Sequence, residues 1–391
     1  MDVRERPIRV AVLGAGGLGK AAARILGMKR ELQLTAICDS RGLLMAEEGL
    51  EAERIASISG DLLDGYRRAV EGGDPAIAPR PLAVGGMVVQ QRMGGRDVAP
   101  LRADVRVSQA MPVGLHTGQG GVAVAARVDA IATDDPIGEV LRRADAFDAA
   151  LVTLPNLPNG FIPGVIERFA RAGRGLVFVD VLKRTAAVEQ MLALDPVVKA
   201  AGGVVLTGCG ATPGLLATAA VLAAQSFIQV ERVDIWWGVG MANWEQYKAT
   251  IREDIAHLPG YTVERAKALT DAEVETLLGQ TNGLLELRDM EHADDVLLQR
   301  AGVVDRREQV QVGGVMDTRR PKKPVSTTMT LTGITYEGKR ASHTFILGDE
   351  TAMAANVIGP ALGFLKRGVW LQAHGIYGVF GSTEFLPMVV R

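Results

Sequence analysis

The chain has 391 residues, 48% of them hydrophobic, with 43 Lys plus Arg against 45 Asp plus Glu. So even a charge excludes a global field selecting nucleic acid or an anionic membrane, and the length exceeds one ordinary core, so two domains and a small-molecule substrate are expected. Two cysteines, Cys38 and Cys209, each in an apolar run, exclude a disulfide framework and fit a reducing, cytoplasmic setting.

The N-terminus, MDVRERPIRV, is read as entering a strand with no room for a signal peptide. Residues 8–20, IRVAVLGAGGLGK, read as that strand, a tight turn and a helix start. Gly14, Gly16 and Gly19, with Gly17 and Leu18 between, have the G-x-G-x-x-G spacing. It lets the backbone turn, a pyrophosphate approach and a helix pack on its strand, with phosphate at the positive end of the helix. A second strand over 32–38 ends at Asp39, about 20 residues past the motif, where an acid for the adenosine ribose is expected. Arg41, after Ser40, suits a 2′-phosphate instead, so NAD and NADP both stay open as the cofactor.

A helix is expected over 43–55. Residues 57–121, rich in glycine and broken by prolines at 79, 81, 100 and 112, read as an insertion. It would carry a helix over 61–70, strands near 83–90 and 104–108, and at 116–121 a loop that either covers the cofactor cleft or is plain surface. A strand over 122–132 restores the pattern, with Asp135 and Pro136 as N-cap and first turn of the next helix. The apolar run 147–154 is a buried parallel strand. Leu154, Pro155 and Asn156 at its end fall on the carboxyl edge where doubly wound sheets bind ligands, and Asn156 either touches the cofactor or makes a turn. Helix 163–172, strand 175–181, helix 186–194 and strand 204–207 complete a six-stranded sheet. The uncharged stretch 200–230 is long enough to span a membrane, but Gly208, Gly210, Pro213 and Gly214 divide it into strand, turn and buried helix.

From about 230 the pattern changes. A strand over 233–239, helices over 243–257, 271–279 and 293–301, and strands over 308–315, 325–336 and 340–347 indicate an α+β domain. Thr270 and Glu273 form a capping box, and 337–339 turns a hairpin. A helix over 351–366 and a tail returning to the first domain follow. The expected fold is α/β, with an N-terminal Rossmann doubly wound parallel sheet over 1–212 plus about 350–391, and an α+β substrate and dimerisation domain over 213–349. An open sheet there calls for cover, hence a homodimer.

Few side chains are placed for proton transfer. Lys183 is either the acid/base, with burial lowering its pKa toward neutrality, or a surface lysine opening a helix. His374 and Tyr377 either reach the cleft or pack at a domain seam. Asp180 is a candidate or a buried loop cap, Cys209 reads as a small buried hydrophobe, and the basic run 319–323 is a solvated loop or an anion site. No set has metal-ligand spacing.

The glycine motif, VFVD at 177–180, GCGATPGL at 208–215 and GIYGV at 375–379 together resemble the saccharopine dehydrogenase-like oxidoreductases. The resemblance implies NAD(P)-dependent hydride transfer at a C–N centre of an amino acid or imine. The stretch CDSRGL at 38–43 is similar to homoserine dehydrogenases, which implies a carbonyl substrate instead and places Lys183 near their catalytic lysine. A non-catalytic dinucleotide-binding sensor or assembly factor is the remaining reading.

Overall fold

A computed structural model describes residues 6–71, 128–156, 158–241, 244–348 and 352–391. The expected strands near 83–90 and 104–108 and the loop at 116–121 lie outside the described residues. In chain order the strands are β1 (Ile8–Leu13), β2 (Leu32–Cys38), β3 (Gly42–Met45), β4 (Asp129–Ala132), β5 (Ala149–Val152), β6 (Val177–Asp180) and β7 (Val204–Thr207). There follow β8 (Phe227–Gly240), β9 (Leu284–Leu287), β10 (Val310–Asp317), β11 (Thr327–Thr335), β12 (Arg340–Leu347) and β13 (Gly378–Gly381).

The first sheet has the order β13-β7-β6-β5-β1-β2-β3-β4. From β13 to β2 every pairing is parallel, and β3 and β4 add an antiparallel edge. Strands β1, β5, β6 and β7 are apolar along almost their whole length because helices cover both faces. Helices Gly17–Gly27 and Met353–Ala373 pack on one side, Phe161–Arg171 and Thr185–Leu192 on the other. This is the Rossmann architecture. Its ligand crevice opens where the connections from β1 and β5 diverge, beyond the carboxyl ends of those strands.

Three expectations are corrected here. Residues 43–45 form a strand rather than the start of a helix, since Leu43, Leu44 and Met45 are all buried, and a short apolar run fits either element until its neighbours decide. The described part of the 122–132 segment is an antiparallel edge strand on β3. With β3 and β13 the sheet has eight strands, not six.

The second sheet, β12-β11-β8-β10-β9, is antiparallel except for β8 with β10. Val233, Ile235, Met329 and Leu331 point from it into a core shared with helix Leu215–Ala224. On the other parity, hydroxyls pair across β11 and β12, Thr330 with Thr344 at 3.0 Å and Thr332 with Ser342 at 2.8 Å. Local signals agree with the chain's grammar. Asp135 accepts from the Gly138 amide at 2.9 Å, and Thr270 with Glu273 closes a capping box. Among the described residues no helix is long and apolar enough to cross a membrane.

Candidate functional site

A cavity of about 1200 Å³ lies beyond the carboxyl ends of β1 and β5 and is walled by both sheets. Gly14, Gly16, Gly17, Leu18, Asp39 and Ser40 line one part of it, and Leu154, Pro155 and Asn156 continue that wall. The glycines differ in purpose. Gly14 has a φ of +111°, and a Cβ on Gly19 would stand 1.8 Å from the Gly14 carbonyl oxygen, so both are demanded by the turn itself. A Cβ on Gly16 would meet nothing within 4 Å. Asp39 does not offer a free carboxylate: it accepts from the amides of Arg41 at 2.8 Å and of Gly42 and Leu62 at 3.0 Å. Arg41 is outside the lining and lies 3.6 Å from Asp61.

Lys183, just past β6, also lines the cavity, but its chemistry is not the expected one. Its Nζ donates to Asp254 Oδ1 at 2.6 Å and lies 3.5 Å from Glu253 Oε2. Burial alone would pull its pKa down, yet the two carboxylates outweigh that and hold it above the ordinary lysine value. It is therefore a fixed ammonium at neutral pH, not a base. Glu253 and Asp254 come from helix Lys248–Ile255 and are only 3% and 2% exposed. Asn156 Nδ2 donates to Glu253 Oε2 at 3.2 Å, while Glu253 Oε1 is buried without a hydrogen-bond partner.

A second group lies outside the residues singled out from the sequence. His292 lines the cavity at 3% exposure, with Nδ1 2.7 Å from Asp294 Oδ2. That same oxygen accepts from Thr212 Oγ1 at 2.6 Å. A carboxylate at Nδ1 orients the ring and favours a proton on that nitrogen. The pair is anchored to the Lys183 loop through the Ala293 amide, which donates to the Lys183 carbonyl at 2.8 Å. Glu253, Asp254, His292 and Asp294 were missed because they sit in ordinary helical or connecting sequence. The one usable sign was His292 two residues before Asp294 at a helix start.

The structure does not bring His374 or Tyr377 to the cavity: His374 stacks on Trp370 at 4.0 Å between centroids, at the end of helix Met353–Ala373. Asp180 is fully buried, accepting from the Leu182 and Gly208 amides and Thr207 Oγ1, and burial pushes its pKa up to about 6. Cys38 and Cys209 are free and buried. From the basic run, Arg319 pairs with Glu275 and the cluster is outside the lining. No group of His, Cys, Asp and Glu suited to a metal occurs among the described residues.

A parallel-sheet crevice holding a buried ionic cluster and a carboxylate-held imidazole is the equipment of an enzyme of the Rossmann class. No family model matches the chain. The (S)-8-amino-7-oxononanoate synthase BioU of Haloferax mediterranei is 41% identical over 382 residues, spanning 97% of this chain and 99% of that protein. The chain belongs to the BioU family. Among solved structures, C. glutamicum DAP dehydrogenase in complex with DAP is 16% identical with a TM-score of 0.49, covering 97% of this chain and 94% of that one. Saccharopine dehydrogenase (L-Glu forming) from Saccharomyces cerevisiae is 10% identical with a TM-score of 0.48, covering 96% and 94%.

The BioU relation corrects the functional expectations. The chain is not assigned to the saccharopine dehydrogenase-like group, and hydride transfer at a C–N centre is withdrawn, as are the homoserine dehydrogenase-like and non-catalytic alternatives. NAD or NADP as cofactor is withdrawn with them, because the full-length relative is a synthase named for an amino-oxononanoate. The physical reason is visible in the turns that carried the resemblance. Gly14 and Gly19 answer to packing, and Gly208 and Gly214 to φ values of +67° and +127°. Such residues record an architecture, which different chemistries share.

Proposed function

We propose that this chain, like its relative, is an (S)-8-amino-7-oxononanoate synthase and handles that α-amino ketone in the cavity described above. The observation that carries this reading is the 41% identity across nearly the whole of both proteins. The site supports it. Chemistry beside a ketone requires a proton to move on or off the carbonyl oxygen or the adjacent carbon, and His292 Nε2 is the group for that, with Asp294 stabilising the imidazolium that forms. Lys183, held as an ammonium, supplies positive charge rather than proton abstraction.

The test compares extracts of cells with and without the chain for (S)-8-amino-7-oxononanoate by mass spectrometry, alongside calorimetric titration of the purified protein with the compound. A changed level and measurable binding are expected, and His292→Asn should reduce turnover by about 100-fold or more while keeping the binding. An unchanged level together with no binding would sink the reading.

Two further expectations belong with it. We place the enzyme in the cytoplasm, on the strength of its two free, buried cysteines. We also propose a homodimer through the second sheet, where Ile346 at 60% and Tyr336 at 71% exposure leave apolar surface in water. Light scattering giving the mass of one chain at micromolar concentration would refute the dimer.

A further inference from the structure

Helix Lys248–Ile255 presents two unbalanced charge clusters to the one cavity. Glu253 and Asp254 carry two negative charges against the single positive charge of Lys183. Nearby His257 does not make up the deficit, since burial and then the Arg184 and Lys183 charges lower its pKa to about 4 and keep it neutral. Arg184 is itself paired with Glu291 at 2.5 Å. The opposite imbalance occurs at the other cluster. Lys248 and Arg252 both line the cavity, and both are paired to the same carboxylate, Asp271, with Arg252 Nη2 at 2.6 Å. One cluster lacks a cation and the other lacks an anion. Arg168 and Asp135, also in the lining, balance each other, and Asp39, Asp134 and Lys267 line the cavity away from these two clusters' ion pairs. A second, independent sign is Glu253 Oε1, a buried carboxylate oxygen of a cavity-lining residue with no hydrogen-bond partner.

We propose that this helix binds a zwitterion with its two charges at separate ends: Glu253 and Asp254 take a ligand ammonium, and Arg252 with Lys248 takes a ligand carboxylate. Trp237, Met316 and Leu347 from the second sheet supply the apolar wall for the chain between them. The inference rests on the functional reading above for its natural ligand, since (S)-8-amino-7-oxononanoate carries an amine near one end and a carboxylate at the other. A ligand charge entering each cluster completes a neutral set, and at the buried Glu253–Asp254 cluster that is worth more than in water, while the more exposed Arg252–Lys248 cluster gains less.

The test titrates the protein with (S)-8-amino-7-oxononanoate, with 7-oxononanoate, which lacks the amine, with 2-aminononan-3-one, which lacks the carboxylate, and with 8-aminooctanoate, which lacks the ketone. Two variants are compared with the parent, Glu253→Gln and Arg252→Gln. Each leaves a balanced pair behind, Lys183 with Asp254 or Lys248 with Asp271, and near-unchanged thermal melting checks the fold. Glu253→Gln should weaken the amine-bearing ligands about ten-fold or more and leave 7-oxononanoate unchanged, while Arg252→Gln should weaken the carboxylate-bearing ligands and spare 2-aminononan-3-one. If (S)-8-amino-7-oxononanoate binds equally to all three proteins, the inference is wrong and the functional reading survives. If that compound does not bind but 8-aminooctanoate does, with the stated dependence on both variants, the functional reading fails and the inference stands. No binding of any compound overturns both.

Discussion

The two ends of the cavity are built by opposite means. At the glycine end the wall is main chain: Gly14, Gly16 and Gly17 bring the backbone to the ligand space and contribute no side chain. At the other end the wall is side chains: Lys183 is held by Glu253 and Asp254 from helix Lys248–Ile255, and His292 is held by Asp294. A main-chain wall is damaged by adding atoms, and a side-chain wall by removing charge. This difference orders the consequences of substitution.

The largest loss should follow Gly19→Val. Its Cβ would collide with the Gly14 carbonyl, a backbone atom that cannot step aside, so destabilisation of more than about 4 kcal/mol is expected in chemical denaturation. Next is Lys183→Met, which leaves Glu253 and Asp254 as uncompensated buried charges. A loss of about 3–5 kcal/mol is expected, and adding Asp254→Asn to it should recover part of that loss. A double variant no better than the single one would mean that the carboxylates are not strained by each other.

The pH dependence should separate two buried groups that act in opposite directions. Asp180 keeps its proton up to about pH 6 when folded but releases it near the ordinary carboxylate value of 3.8 when unfolded. Its contribution to stability is therefore complete below that lower value and lost as pH rises through about 6. His257 titrates near 4 when folded, because burial and then Arg184 and Lys183 oppose its charging, against 6.5 unfolded. Its contribution is complete above 6.5 and lost as pH falls through about 4. Thermal melting between pH 4 and 6.5 should thus rise more steeply in Asp180→Asn than in the parent, and less steeply in His257→Gln. Parallel curves for all three would remove both assignments. The smallest effect belongs to Gly16→Ala, which meets open space and should alter stability by no more than about 1 kcal/mol. A large loss there would show that Gly16 is as constrained as Gly19.

The same contrast explains what could be read without coordinates. The glycine turn, the buried strands at β5, β6 and β7, the Asp135 cap and the Thr270 box are local, each set by residues a few positions apart. The acid end is not local. It joins Asn156, Lys183, Glu253 and Asp254 across 97 positions of chain between the first and third of these, so spacing carries no trace of it. Lys183 was found for its place after a strand, and its charge state was misjudged because the carboxylates that set it come from a distant helix. For His374 and Tyr377 the packed alternative fits, since the glycines around them terminate helix Met353–Ala373 and open β13, and the tail that returns to the first sheet is part of its frame.

That last strand has a consequence for biosynthesis. β13 pairs in parallel with β7, and further along the Glu31 amide donates to the Arg391 carbonyl at 3.2 Å while the Arg391 amide donates to the Glu31 carboxylate at 2.7 Å. Lys29 Nζ donates to the Val390 carbonyl at 2.9 Å, so the start of β2 is tied to residues made more than 350 positions later. On the ribosome, a nascent chain lacking residues 378–391 has an open β7 edge and an unclosed sheet, the state in which unpaired strands are most prone to associate with other chains. The main sheet therefore cannot be completed until residues 378–381 have been made and have reached β7.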